Sequence, residues 1–123
     1  MVKAFFKLNI WQKGYKLVLC IYQITNNFPD TEKYALINQL KRASNSVIAN
    51  IAESQGRYFY KDKIRILYQA RGEIFEIRSH LRVAKGLKYL NLEKFTRVDQ
   101  DYEGLLIGLN KYINYLSSQN NLN

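Results

Sequence analysis

The sequence has one cysteine, one proline and one histidine in 123 residues, and only six glycines. Each scarcity removes a class of protein. Cys20 alone permits no internal disulfide, and no second thiol stands at metal-ligand spacing. His80 alone means that a transition-metal site would have to be built from carboxylates. So few glycines and one proline argue against a turn-rich, all-β chain. The glycines are scattered singly, so neither a phosphate loop nor a dinucleotide fingerprint is present. No apolar run approaches a membrane span, and the start does not resemble a signal peptide. The chain therefore reads as cytoplasmic, with no membrane partner.

What remains is a globular composition. Hydrophobic residues make up 47% and charged residues 24%, too apolar for a disordered chain. The length suits one domain, residues 1–123, with a core of its own. The formal net charge of +9 is high for this size and favours an anionic partner: nucleic acid, an anionic surface or an acidic protein.

Hydrophobic spacing predicts four helices, at about 9–27, 31–56, 61–86 and 92–117. The lead-in contains Val2, Lys3, Phe5, Phe6, Lys7 and Leu8. Asn9 is placed to cap the first helix, which carries Ile10, Gly14, Leu17, Ile21, Ile24 and Phe28 at alternating spacings of four and three. That helix must end near Asn26 and Asn27, because Phe28 precedes Pro29 and α geometry is disfavoured there. Asp30 or Thr31 caps the second helix, and Gly56 is expected to end it in the left-handed conformation. The fourth helix shows Phe95, Val98, Tyr102, Leu105, Leu109, Tyr112 and Leu116 at strict three-four spacing, a bundle seam. The polar tail from Ser117 is expected to fray. Long amphipathic helices joined by short turns make an all-α, up-and-down four-helix bundle.

The second helix has two unlike faces. Leu36, Leu40, Val47, Ile51 and Tyr58 form an apolar stripe at about 100° per residue. Gln39, Arg42, Ser46, Asn50, Glu53 and Arg57 form a polar row beside the small residues Ala35, Ala43, Ala49 and Ala52. A solvated face would carry Lys and Glu, so this row is expected to lie against something. Two readings stand open: hydrogen bonding within the bundle at a close helix–helix approach, or contact between subunits. Glu53 and Arg57, four apart, can pair along the helix.

Charge is uneven. Residues 57–88 hold nine Lys and Arg against three acids, whereas residues 89–123 hold three against four. On the third helix Arg71, Arg78, Arg82 and Lys85 fall within about 60° of one another. Tyr68 and Phe75 lie beside them, and Ile66, Ala70, Ile74, Ile77, Leu81 and Ala84 face the core. Cations interleaved with aromatics suit nucleic acid, displacing counterions from phosphates and stacking on unpaired bases. The plainer reading is a solvated helix face. Arg42 and Arg57 are secondary candidates for phosphate contact.

Nothing points to catalysis. Glu73 and Glu76 resemble half of a di-iron bundle site, but no Glu-x-x-His occurs. Cys20 sits on an apolar helix flank, as a small core residue would. No cofactor is expected, and no enzyme activity.

The segments WQKGYKLVLCIYQIT, FPDTEKYALINQLKRASNSVIANIAESQGR and ARGEIFEIRSHLRVAKGLKYL resemble the bacterial four-helix bundle family of 23S rRNA intervening-sequence proteins. The likeness runs from Phe6 to about Leu116. Gln39, Leu40, Arg42, Ala43, Ser46, Asn50, Ile51, Ala52, Glu53 and Arg57 fit the family pattern of the second helix, and Ala70, Gly72, Glu76 and Leu81 that of the third. Three positions depart from it: Ser54 where Gly is usual, Glu73 where Ser is usual and Arg78 where an acid is common. The resemblance implies a left-handed bundle assembled as a homopentamer, RNA as a partner, and a gene inside a 23S rRNA intervening sequence. A structurally similar relative is the accessory protein of diversity-generating retroelements, which implies a reverse transcriptase as another partner. It implies no catalytic activity.

Overall fold

A computed structural model describes residues 4–121. Val2 and Lys3 of the lead-in, and Leu122 and Asn123 of the tail, lie outside the described residues. Four helices follow one another: α1 (Asn9–Thr25), α2 (Leu36–Gln55), α3 (Tyr60–Gly86) and α4 (Leu92–Asn121). Short 3-10 turns occupy Phe5–Lys7 and Asp30–Glu32, and there is no strand among the described residues. Each helix packs on its successor and α1 closes against α4, while the backbones of the diagonal pairs stay apart. This is the four-helix bundle that the hydrophobic spacing predicts.

The apolar faces meet as expected along most of their length. Ile21, Leu40, Ile51, Ile74, Ile77, Leu81, Leu105 and Leu109 are fully buried in one continuous core. Gly14 lies in that stripe because α1 and α2 approach closely there: a Cβ would stand 2.7 Å from Ile48 Cγ2. Six of the seven seam residues of α4 are buried, but Tyr112 turns to the edge and Ile113 takes the interior. The Tyr112 hydroxyl accepts a hydrogen bond from Gln55 Nε2 at 2.8 Å, which holds the ring at the α2–α4 rim.

Helix ends depart from the sequence reading at four places. Asn9 is the first helical residue of α1 and caps nothing; Leu8 stands at the cap with extended backbone. The α2 start moves from residue 31 to Leu36, because Asp30–Glu32 closes a separate 3-10 turn and Ala35 breaks the chain direction at φ −121°, ψ −103°. A tertiary contact holds that turn: the Tyr89 hydroxyl donates to Glu32 Oε2 at 3.0 Å, and its ring lies 5.5 Å from that of Phe28. The third departure is Gly56, which keeps right-handed geometry at φ −84°. Lys63 caps this helix instead, its ammonium donating to the Ser54 carbonyl at 3.1 Å and the Gln55 carbonyl at 3.5 Å. At the C-terminus α4 continues to Asn121, so residues 117–121 are helical rather than frayed.

The left-handed residue of the described chain is Lys88, φ 65°, just beyond α3. The Tyr89 amide donates to the Ala84 carbonyl at 2.9 Å and the Lys88 amide to the Lys85 carbonyl at 3.0 Å, a Schellman closure. Such a position favours glycine over any residue with a Cβ. Lys88→Gly should therefore raise stability by about 0.5–1 kcal/mol and the melting temperature by about 2–4 °C. A thermal melt showing no gain would contradict this account of the turn.

Candidate nucleic-acid interface

Helix α3 carries two charged edges. The edge facing α4 holds Arg71, Arg78, Arg82 and Lys85, and the edge facing α2 holds Glu73, Glu76 and His80. The contacts across each seam settle this division.

On the α4 side the centre is Asp99, a residue that the sequence reading missed. Arg78 donates to both carboxylate oxygens, Nε to Oδ1 at 2.8 Å and Nη2 to Oδ2 at 3.2 Å. Arg82 does the same, Nη1 to Oδ1 at 2.9 Å and Nη2 to Oδ2 at 3.1 Å. Hydrogen bonding from Arg78, then from Arg82, holds the Asp99 carboxyl down at about 2. The Asp99 and Arg78 side chains are only 12% and 19% exposed, so this pair is largely internal. Arg82 is 52% exposed and lies over the Phe95 ring, 5.2 Å from its centroid. Lys85 Nζ approaches the same ring at 4.8 Å. Two arginines and a lysine thus converge on one carboxylate and one aromatic face, and the cluster keeps a positive balance.

Arg71 stands apart, at a distance of about 10 Å along the helix from Arg78. Its Nη1 donates to the neutral Asn110 Oδ1 at 3.2 Å, and its guanidinium lies 4.6 Å from the Tyr68 centroid. Tyr68 and Phe75 are both exposed beside it. Cations resting on exposed aromatic faces are held in place without losing their charge.

On the α2 side, Arg42 is occupied. It accepts help in positioning from Gln39, whose Oε1 takes hydrogen bonds from Nε at 3.1 Å and Nη2 at 3.0 Å. Its guanidinium is paired with Glu76 and lies 3.5 Å from Glu73. His80 Nε2 lies 3.2 Å from the same Glu76 oxygen. Glu73 and Arg78, which both depart from the resembled pattern, therefore each find an opposite charge within the chain. Ser46 and Asn50 are half-buried on the same helix, and no protein side chain among the described residues hydrogen-bonds them.

Arg57 lies in the turn after α2 and pairs with Glu53 at 2.6 Å, as their spacing predicts. Tyr58, expected in the apolar stripe, is a correction: α2 ends at Gln55, so the ring leaves the helical register and points to solvent. Arg42 and Arg57 do not join the cations of α3 in one patch.

No group of three metal-ligating side chains comes together among the described residues. Burial raises the Cys20 thiol, away from the reactive thiolate. No described helix is long and apolar enough to cross a membrane.

The comparisons with known proteins agree with this architecture. A crystal structure of a protein with unknown function from the S23 ribosomal protein family of Bacteroides thetaiotaomicron superposes with a TM-score of 0.79. It shares 21% identity, over 85% of this chain and 95% of that one, which shows a common fold. No curated protein matches the sequence. The family described as 23S rRNA-intervening sequence protein matches residues 6–111, and that description names no catalytic activity. With the four-helix bundle in place and the match covering most of its length, this chain belongs to the 23S rRNA-intervening sequence protein family.

Proposed function

We propose that this protein is a non-enzymatic, basic, homo-oligomeric RNA-binding bundle of the cytoplasm, associated with 23S rRNA intervening sequences. The observation that carries the reading is the α3–α4 edge. There Arg71 rests on Tyr68, and Arg82 and Lys85 on Phe95, and with Arg78 these four cations outnumber Asp99 and the nearby Glu103. Phosphates would meet the cations and unpaired bases the exposed Tyr68 ring, while the buried Phe95 only seats Arg82 and Lys85. Arg78 serves this surface by bracing Asp99 rather than by touching RNA, and Arg42 and Arg57 enter only after exchanging their present carboxylates. Self-assembly is supported by Tyr15, Leu19 and Tyr22, exposed at helical spacing along α1, which a second copy would cover. A ring of five would carry about five times the +9 of one chain, strongly attractive to RNA at low salt.

Size-exclusion chromatography with light scattering, before and after nuclease treatment, tests both parts at once. A multiple of 14.5 kDa with nuclease-sensitive absorbance at 260 nm is expected. A monomer free of nucleic acid that also fails to bind structured RNA overturns the reading. A pull-down returning one protein and no nucleic acid would favour a scaffold docking a reverse transcriptase or another acidic partner.

A further inference from the structure

The turn between α2 and α3 holds two consecutive aromatic residues in water. Tyr58 is 87% exposed and Phe59 65%. Neither contributes to the core, although Tyr60 immediately after them is packed against it. The two rings meet edge to face, centroids 5.0 Å apart and planes at 87°, which fixes their relative orientation while leaving ring faces open. They border an open cleft of about 870 Å³ that Arg57, Lys61, Asp62, Lys63 and Asn120 also line. Three cations stand against Asp62 and the Glu53 that pairs with Arg57, which leaves a net positive charge of one. Lys61 has no ion pair among the described residues; Arg57 is paired with Glu53, and Lys63 is turned to the α2 carbonyls.

We infer that this corner is a stacking site for unpaired RNA bases, with Tyr58 and Phe59 as the platforms, Lys61 as the phosphate contact, and Arg57 joining it by exchanging Glu53 for phosphate. The inference rests on the RNA-binding reading and adds the form of the target: single-stranded segments rather than duplex. Base faces buried within a duplex cannot reach two solvent-facing rings, whereas a splayed loop or a free end can. The positive lining selects a polyanion over an apolar partner helix. The site also lies apart from the α3–α4 edge, so the two can be disabled separately.

The test is fluorescence anisotropy with a labelled oligouridine single strand and an RNA duplex of equal length. Wild type is compared with Tyr58→Ala/Phe59→Ala and with the aromatic exchange Tyr58→Phe/Phe59→Tyr. The double alanine variant should lose about tenfold or more in affinity for the single strand, since each stacked base contributes substantially. Its slope of log affinity against log salt should not change, because no charge is removed. Duplex binding should be unaltered, and the aromatic exchange should bind like wild type. Single-strand affinity of the alanine variant within twofold of wild type overturns the corner while leaving RNA binding intact. A shift of that variant to a smaller assembly would reassign the rings to subunit contact and likewise overturn it. Wild type that binds neither RNA removes both readings.

Discussion

Asp99→Ala should lower the unfolding free energy by about 3 kcal/mol, the low end of what breaking a buried ion pair costs. Arg78, mostly buried, would be left without its carboxylate, whereas the half-exposed Arg82 can turn to water. The same interaction has a pH signature. The folded carboxyl is held at about 2, below its ordinary 3.8, chiefly by hydrogen bonding from Arg78. A group whose folded pKa is depressed stabilises fully above its unfolded value. That contribution, about 2 kcal/mol here, is lost as pH falls from about 4 through 2. Wild type should therefore lose stability steeply over that window, and Asp99→Ala should show a flatter profile. Denaturant titrations across acid pH decide this; parallel profiles for the two proteins would refute the pairing.

Removing the charges of Arg71, Arg82 and Lys85 together should reduce the salt dependence of RNA binding. For single-stranded targets each lost phosphate contact lowers the slope of log K against log salt by about 0.7, so three lower it by about 2. Affinity at low salt should fall by orders of magnitude, and the gap between variant and wild type should narrow as salt rises. Arg78→Gln is the instructive control. A sequence reading groups it with the other three, but its guanidinium is bound to Asp99 and little exposed. It should cost stability and leave the slope nearly unchanged. Equal slopes for the triple variant and wild type would move the RNA surface off this edge.

Much of the bundle is legible without coordinates. The spacing of Ile66, Ala70, Ile74, Ile77, Leu81 and Ala84 on α3 identifies its buried face, and all six are buried. The α4 seam is equally clear, save that Tyr112 yields to Ile113 because Gln55 on another helix holds its hydroxyl. Helix ends are less legible. Gly56 looks like the left-handed terminus, yet Lys63 caps that end from nine residues away and Lys88 takes the left-handed position. Tyr58 fits the angular pattern of α2, but the angle means nothing once the helix has stopped at Gln55.

The candidate site divides along the same line. Placing Arg71, Arg78, Arg82 and Lys85 on one edge of α3 needs only the pitch of a helix. Which of them is free to meet a polyanion depends on Asp99, 21 residues from Arg78 and 17 from Arg82, on a different helix. The four amphipathic helices and their buried faces follow from the residues alone, because hydrophobic periodicity is local and each helix must bury its stripe. Which charges are spent is settled only in three dimensions, because an ion pair is set by distance in space and α4 brings Asp99, with Glu103 nearby, to that edge only when the bundle closes.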